Sequence, residues 1–408
     1  MSRESTRRCV QEHLRYLVET VGPRPPGSPA NAAATDHVRH VLASAGLPVL
    51  DLSFRTVWWE PGPGRLIAGG VEVAVAPNPY SPPCDVRAAA VRAESRAEVT
   101  PATCAGRVLV LSGAPVAEQV TPTDYPFYRV EEHVLLVETL LAARPAAVVA
   151  VSDHGVPVFE DPRLPFPSTT VTVGERIVDG DELGLVLGGC VHDGVGSNVS
   201  ASTVGDRPRV VLSAHLDSKA TTPGAFDNAG SVAAVLAAVE HGRLLRAAVE
   251  VVLFNGEDHV DPCGELAWLA ATDLARVTAA VNLDGAGVAG RRTQVSGLSC
   301  SPEVEERLQA FVTSRPGWVV GEPWYESDHA IFAMRGVPSV AVTSEHVHDL
   351  LRDVAHTARD TLEVVDMGVL AELAESLPDL LEAASGAATR EPPAVGLREG
   401  SAVVRGRD

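Results

Sequence analysis

Four apolar runs in the second half of the chain constrain its fold most strongly. Each is a continuous stretch rich in Val, Leu or Ala, and in order they are RVVLSA, AAVEVVLF, AAVNL and PSVAVT. Stretches with helical periodicity lie between them, such as AGSVAAVLAAVEHGRLL and SPEVEERLQAFVTS. Continuous runs of this kind are typical of strands covered on both faces. The alternation therefore predicts an α/β fold with a mainly parallel central sheet flanked by helices.

The first half of the chain has a different texture. Residues 4–21 and 31–45 are predicted to be two helices, separated by the breaker GPRPPGSP. Between residues 71 and 190, short Val-rich runs alternate with Pro-rich turns, which predicts a small β-rich module containing one or two helices. We therefore expect one domain built from 1–70 and 191–386, with 71–190 inserted into it.

The C-terminal end of the chain carries one more predicted helix, GVLAELAESLPDLLEAAS, which contains Pro378. The polar segment 387–408 that follows is predicted to be a disordered tail. Because the insert leaves the main domain near Val71 and returns just before the first of the four strands, we expect it to shade the site at the strand ends.

The charge of the chain limits its partners. Its 53 acidic and 33 basic residues give a formal net charge of −20. Nucleic acids and anionic membranes require a positive surface, so neither is expected as a partner. No apolar stretch reaches the roughly 18 residues of a membrane span, and the first residues contain no signal-peptide core, so a cytoplasmic location is expected. The six cysteines show no CxxC spacing and are interpreted as buried thiols.

Titratable side chains follow the predicted strands at the points where the strands end. They are His215 and Asp217, the Glu257–Asp258 pair, Asp284, and His356 beyond the last strand, while Asp227 begins the helix after the first strand. Taken singly, each has a structural explanation, such as a helix N-cap for Asp227 or a solvated loop for Glu257–Asp258. Taken together at one sheet edge, carboxylates would repel one another unless a cation neutralised them. The mixture of imidazoles and carboxylates suits zinc or a similar divalent ion.

These residues lie in motifs that carry a family resemblance. The series AHLDS, PGAFDNAGSVAAVL, VVLFNGED, VNLDGAG, SDHAIF and AHTARDT resembles the zinc peptidase family of bacterial leucyl aminopeptidase, aminopeptidase Y, glutamate carboxypeptidase and glutaminyl cyclase. Segment 71–190 is similar in texture to the protease-associated domain that many members of this family insert before the His-x-Asp motif. The resemblance implies a zinc aminopeptidase-like fold and a cis peptide bond between Asp227 and Asn228.

The resemblance also implies a role for each matching residue. It makes His215, Asp227, Asp258, Asp284 and His356 the ligands of two zinc ions per chain. Asp227 would bridge the two ions, Asp217 would orient the His215 imidazole, and Glu257 would be the general base that acts on a metal-bound water. The family usually has Glu-Glu where this chain has Glu257–Asp258, so the arm of one ligand is shorter by a methylene group.

The function implied is a zinc-dependent exopeptidase, expected to be an aminopeptidase that hydrolyses a peptide or small amide. Two alternatives remain open, a glutaminyl-peptide cyclotransferase and a non-catalytic binding protein with the same fold. Cyclases lack a long insert before His-x-Asp, and non-catalytic relatives have lost metal ligands. Neither the cleaved residue nor the oligomeric state follows from the sequence.

Several other histidines and aspartates are weaker candidates for site residues. Asp328 and His329 could contact substrate or could only form hydrogen bonds within their loop. His346 and His348 have the spacing of a chelating pair but are expected to line a loop. His259 and Asp261 are conceivable substitutes for Asp258 as a ligand.

Overall fold

A twisted sheet of 14 strands runs through the whole molecule, with helices packed against it. The computed structural model describes residues 2–122, 125–127, 129–152, 156–172 and 177–385. The predicted tail, 387–408, lies outside the described residues. Among the described helices, none combines the length and the apolar character needed to cross a membrane.

The strands follow the chain in this order: β1 (Val49–Ala68), β2 (Val71–Val73), β3 (Ala76–Pro77), β4 (Cys84–Ala93), β5 (Val108–Leu111), β6 (Ala147–Val151), β7 (Ser168–Val171), β8 (Glu182–Ser202), β9 (Arg209–His215), β10 (Val249–Phe254), β11 (Val277–Leu283), β12 (Thr293–Leu298), β13 (Trp318–Val320) and β14 (Ser339–Ser344). The α-helices are α1 (Arg3–Arg15), α2 (Pro29–Ser44), α3 (Pro101–Cys104), α4 (Glu131–Ala143), α5 (Gly230–Glu240), α6 (Cys263–Ala271), α7 (Pro302–Thr313), α8 (His329–Ala333), α9 (Val347–Asp353) and α10 (Met367–Ala384).

The four predicted strands of the second half are the centre of the sheet. They are β10, β9, β11 and β14, which lie side by side in that order and are all parallel. All but two of their residues are buried, as expected for strands with helices on both faces. The α/β fold with a mainly parallel centre is therefore confirmed. Antiparallel pairing begins on either side, between β12 and β14 and between β10 and β8.

The helices form by the local rules that the sequence predicted. Ser2, Ser28 and Ser301 accept hydrogen bonds from backbone N–H groups as N-caps of α1, α2 and α7. The first predicted helix continues as a π-helical turn over Tyr16–Val21 before the Gly22 break. Helix α5 is buried from Gly230 to Val239, because its Ala and Val side chains pack between the sheet, α1 and α10.

A long antiparallel ribbon of β1 and β8 links the central strands to segment 71–190. It pairs Val49 with Ala201 at one end and Ala68 with Leu183 at the other, with a register shift between Pro61 and Gly64. Strands β4, β5, β6 and β7 extend the sheet beyond the ribbon as a second parallel set, and α3 and α4 contact each other beside them. Strand β8 crosses residue 190, where a domain boundary was predicted, and the assignment of 71–190 to a protease-associated-like domain stays a prediction.

Candidate metal centre

The parallel register of the central strands gathers the predicted site residues at one edge. His215 is the last residue of β9, Asp284 follows β11, and the Glu257–Asp258 pair lies three residues beyond β10. Because parallel strands end at the same edge of a sheet, these side chains converge. Asp227 joins them from the turn before α5, and His356 from the segment after α9.

The Asp227 carboxylate lies between two pairs of side chains, one beside each of its oxygen atoms. Its Oδ1 lies 3.1 Å from His215 Nε2, which is also 3.4 Å from Asp284 Oδ1. Its Oδ2 lies 3.3 Å from His356 Nε2, which is also 2.8 Å from Asp258 Oδ1. The structure therefore brings all five predicted ligands together, with Asp227 between a His215–Asp284 side and an Asp258–His356 side.

The Asp227 carboxylate is held by the backbone around it. The Asp227–Asn228 peptide is cis, as the resemblance implied. The Asp360 carboxylate accepts hydrogen bonds from the backbone N–H groups of Phe226, at 2.6 Å, and Asp227, at 3.1 Å. Asn228 donates to the Leu283 carbonyl at the end of β11. Asp360, four residues after His356 in the AHTARDT motif, is a positioning residue that the sequence interpretation did not assign.

Asp217 contacts more than the imidazole it was predicted to orient. Its Oδ1 lies 3.7 Å from His215 Nδ1, beyond hydrogen-bond distance. The two carboxylate oxygens accept hydrogen bonds from the backbone N–H groups of Gly256 and Asp258, at 3.0 and 3.1 Å. Asp217 is completely buried, and its two hydrogen bonds fix the loop that carries Glu257 and Asp258.

Glu257 lies near the same five side chains, but at a greater distance than they lie from one another. Its Oε2 is 3.9 Å from His215 Nε2, and its side chain is about one fifth exposed, more than those of its acidic neighbours. Burial raises the pKa of Glu257, and although His215 acts in the opposite direction, the net pKa lies well above the usual value. A carboxylate with a raised pKa is a better proton acceptor near neutral pH.

The donor set fits divalent cations. Asp258 Oδ2 and His215 Nδ1 are buried atoms that have no hydrogen-bond partner among the described residues, which leaves the Asp258 oxygen available as a ligand. Burial lowers the pKa of His215, but the Asp284 and Glu257 carboxylates outweigh it and hold that pKa well above its usual value. Such a concentration of buried negative charge attracts cations, and nitrogen and oxygen donors suit zinc.

A cavity of about 300 Å³ opens beside this centre. Glu257, Asp258 and Asp328 line it from the side of the candidate metal ligands, and Gln119 to Pro122 and Glu160, from segment 71–190, line it from the other. The expectation that segment 71–190 shades the site is thereby confirmed.

A buried ion pair joins the insert to the centre. Lys219 Nζ lies 3.1 Å from Glu160 Oε2 and 3.8 Å from Asp258 Oδ1. Burial lowers the pKa of Lys219, but Glu160 and Asp258 outweigh it and raise that pKa above its usual value. Lys219 directly follows the AHLDS motif, yet nothing in its neighbours along the chain indicates a partner from segment 71–190.

The burial and contacts of the weaker candidates show which of them lie near the group of five. Asp328 lines the cavity and is buried, whereas the His329 ring bonds to the Trp324 carbonyl, with Nε2 2.6 Å from it. His346 and His348 have side chains that are 59 and 73 % exposed and lie outside the group of five. His259 Nε2 lies 2.7 Å from the Val57 carbonyl and Asp261 is exposed, whereas the Asp258 carboxylate lies beside His356.

Buried Glu265 is a further residue that the sequence interpretation missed. It lines the cavity and lies beside Asp328, and burial followed by the Asp328 charge raises its pKa well above the usual value. Glu265 lies in helix α6, where the sequence shows only an ordinary acidic residue in a first helical turn.

Comparison with known proteins relates the residues of this site to a peptidase family. Residues 198–380 match the model described as Peptidase family M28. No curated protein matches the chain significantly by sequence. Among solved structures, BSAP, a zinc aminopeptidase from Bacillus subtilis, is similar with a TM-score of 0.70 and 18 % identity, over 93 % of this chain and 94 % of that one.

Two further structures have the same fold along nearly their whole length. An aminopeptidase from Aneurinibacillus sp. strain AM-1 has a TM-score of 0.69 at 18 % identity, covering 96 % of each chain. A peptidase M28 precursor from Shewanella amazonensis SB2B has a TM-score of 0.71 at 18 % identity, covering 96 % of this chain and 98 % of that one. The resemblance predicted from the motifs is confirmed, and the segment that matches the Peptidase family M28 model, 198–380, carries every residue of the candidate centre.

Proposed function

We propose that this protein is a zinc-dependent aminopeptidase that removes residues from the amino terminus of a peptide or small amide. The observation that carries the proposal is the convergence of four side chains suited to metal binding on a fifth, Asp227, beside a carboxylate that lines an open cavity. The match to peptidase family M28 and the fold shared with zinc aminopeptidases support it.

His215, Asp227, Asp258, Asp284 and His356 would hold two zinc ions. Zinc bound there would supply Lewis-acid polarisation of the scissile carbonyl and a lowered pKa for water. Asp217 and Asp360 keep the ligands in place through their backbone hydrogen bonds. Glu257 would accept a proton from the attacking water and return it to the leaving amine, as a general base and then a general acid.

The charge of the cavity favours an amino terminus over a carboxyl terminus. Its lining includes the acidic side chains of Glu257, Glu265, Glu326 and Asp328 in addition to the ligands, and an ammonium group that entered would favour the ionised forms of Glu257 and Glu265, whose pKa values are raised. Among the described lining residues, Lys219 is the single Lys or Arg, and Glu160 already neutralises it. An α-ammonium group would be attracted into this site, whereas an α-carboxylate would be repelled.

The test compares leucyl-p-nitroanilide with N-acetyl-leucyl-p-nitroanilide, each assayed with and without added zinc. We expect zinc-dependent hydrolysis of the free amine and at least tenfold slower hydrolysis of the acetylated compound. Equal rates on both compounds would contradict recognition of the amino terminus. A zinc-loaded protein that hydrolyses neither compound nor any other aminoacyl-nitroanilide would favour the non-catalytic alternative.

A further inference from the structure

A second cluster of metal-ligating side chains lies at the opposite end of helix α5. Cys9 and His13 stand four residues apart on α1, so both side chains lie on one face of that helix. Glu240 is the last residue of α5, whose first residue, Gly230, lies beside the Asp227 turn. The 11 residues of α5 span about 16 Å, so this cluster is separate from the metal centre.

The three ligand atoms have the mutual spacing of a metal site. Cys9 Sγ lies 3.0 Å from Glu240 Oε2 and 3.6 Å from His13 Nε2, and the last two atoms are also 3.6 Å apart. Tetrahedral zinc with ordinary bond lengths places sulfur, nitrogen and oxygen ligands about 3.3–3.6 Å from one another. Small adjustments would therefore put all three atoms in contact with one ion.

A second imidazole fixes the orientation of the first. His13 Nδ1 lies 3.0 Å from His37 Nε2, and the His37 ring stacks on Tyr16 with 4.3 Å between ring centroids. A histidine that binds metal through Nε2 carries its proton on Nδ1 and donates it to such a partner. His37 supplies that acceptor, which is the outer contact a metal-bound His13 would need.

The burial of these three side chains and their access to solvent also suit a bound ion. Cys9 and His13 are 7 and 5 % exposed, whereas the Glu240 side chain is 42 % exposed. An ion could therefore enter along Glu240 and reach two buried donors, with a water molecule as its remaining ligand.

We propose that Cys9, His13 and Glu240 form a second metal site, which binds one zinc-like divalent cation and links α1 to α5. Binding replaces the thiol proton, which leaves to solvent, so the cation is held by a thiolate, an imidazole and a carboxylate. The proposal is independent of the peptidase assignment.

Cobalt distinguishes this site from the metal centre, because none of the five residues assigned to that centre is a cysteine. We expect the full-length protein, after replacement of its metals by Co²⁺, to show a near-ultraviolet thiolate-to-cobalt charge-transfer band with the intensity of one thiolate-bound cobalt per chain. Cys9→Ser should abolish the band. Cys300→Ser is the matched control, since that half-buried thiol donates hydrogen bonds to the Leu298 and Ser339 backbone carbonyls, and it should keep the band.

Two further variants test the geometry if Cys9→Ser does not fold. Glu240→Gln changes a half-exposed side chain and should weaken cobalt binding at this site, and His37→Gln should weaken it about 10–100-fold while the band remains at saturation. Absence of the band in the wild-type protein, its survival in Cys9→Ser, or an unchanged cobalt affinity in both other variants would overturn the proposal. Any of those results would mean that hydrogen bonds alone hold the cluster.

Discussion

Two sets of parallel strands in one continuous sheet differ in what stands at their ends. In the central set, β9 ends with His215 and β11 is followed by Asp284. In the outer set, β5 is followed by Ser112 and β6 by Ser152, neither of which titrates or binds zinc readily. Both sets have buried apolar strands. Parallel pairing therefore brings the strand ends together in each set, whereas the residue types at those ends determine whether a metal site can form there.

The outer set contributes to the site in another way. Glu160 and the segment from Gln119 to Pro122 reach the cavity from loops, and Lys219 joins Glu160 to the Asp258 side of the centre. We therefore assign the reaction to the central set and the closure of the cavity to the outer one. Each prediction below changes one side of this comparison.

The largest effect is expected for Glu257→Gln. Gln keeps the size of the side chain but cannot accept the proton of water, so kcat should fall by about 10²–10⁴-fold while zinc content stays the same. Steady-state kinetics and metal analysis of the same preparation would measure both. The matched change in the outer set, Ser112→Ala, should leave kcat unchanged. Near-normal turnover by a zinc-loaded Glu257→Gln protein would refute the role, and joint loss of zinc would make Glu257 a ligand.

The next effect is expected for Glu160→Gln, which breaks the ion pair between the two regions. Lys219 would remain buried with only the more distant Asp258 carboxylate, and removal of one partner of a buried pair costs about 3–5 kcal/mol. Urea unfolding should show this loss in the free energy of unfolding.

The control for that variant is Glu131→Gln. Its ion pair with Arg129 has side chains that are 66 and 58 % exposed, so the cost should stay below about 1 kcal/mol. Equal stability losses in the two variants would contradict a specific link between the insert and the metal centre.

A smaller effect is expected for Asp217→Asn. The amide retains one acceptor oxygen, so either Gly256 or Asp258 loses the partner of its backbone N–H group. Zinc affinity, measured by competition with a chelator, should fall about 10–100-fold. The exposed Asp193→Asn on β8 serves as the control and should not change affinity. Unaltered zinc binding in Asp217→Asn would show that the loop holds its shape without this carboxylate.

The smallest effect is expected for Asp258→Glu, which restores the residue usual in the family. The donor chemistry stays the same, but the added methylene must fit a side chain that is 3 % exposed and 2.8 Å from His356. We expect kcat to fall less than tenfold, with zinc retained. A loss as large as that of Glu257→Gln would mean that the length of this arm, rather than its charge, determines activity.

The sequence predicted those features that depend on neighbours along the chain. The central strands and the helices between them follow from apolar runs and helical periodicity. Parallel strand ends bring His215, Asp258 and Asp284 together, whereas the placement of Asp227 and His356 as ligands was implied by the family resemblance. The β1–β8 ribbon was not predicted, because Pro61, Pro63 and the adjacent glycines read as breakers, whereas the structure absorbs them in a register shift.

The contacts that the sequence could not supply join distant segments. Asp360 is 133 residues from the Asp227 backbone group that it binds, and Glu160 reaches Lys219 from the insert. His13 and His37 lie on different helices, and only their packing brings the two rings together. Such pairs depend on tertiary packing, which periodicity and motif spacing do not encode.

The central claim is that the strand-end residues of β9, β10 and β11 bind zinc and that the bound zinc is required for peptidase activity. Its most direct test removes metal from the wild-type protein with a chelator and follows leucyl-p-nitroanilide hydrolysis as zinc is returned. We predict that activity disappears on metal removal and returns with added zinc, and that His215→Ala, treated identically, does not recover. Full activity in a protein shown by mass spectrometry to contain no metal would contradict the account.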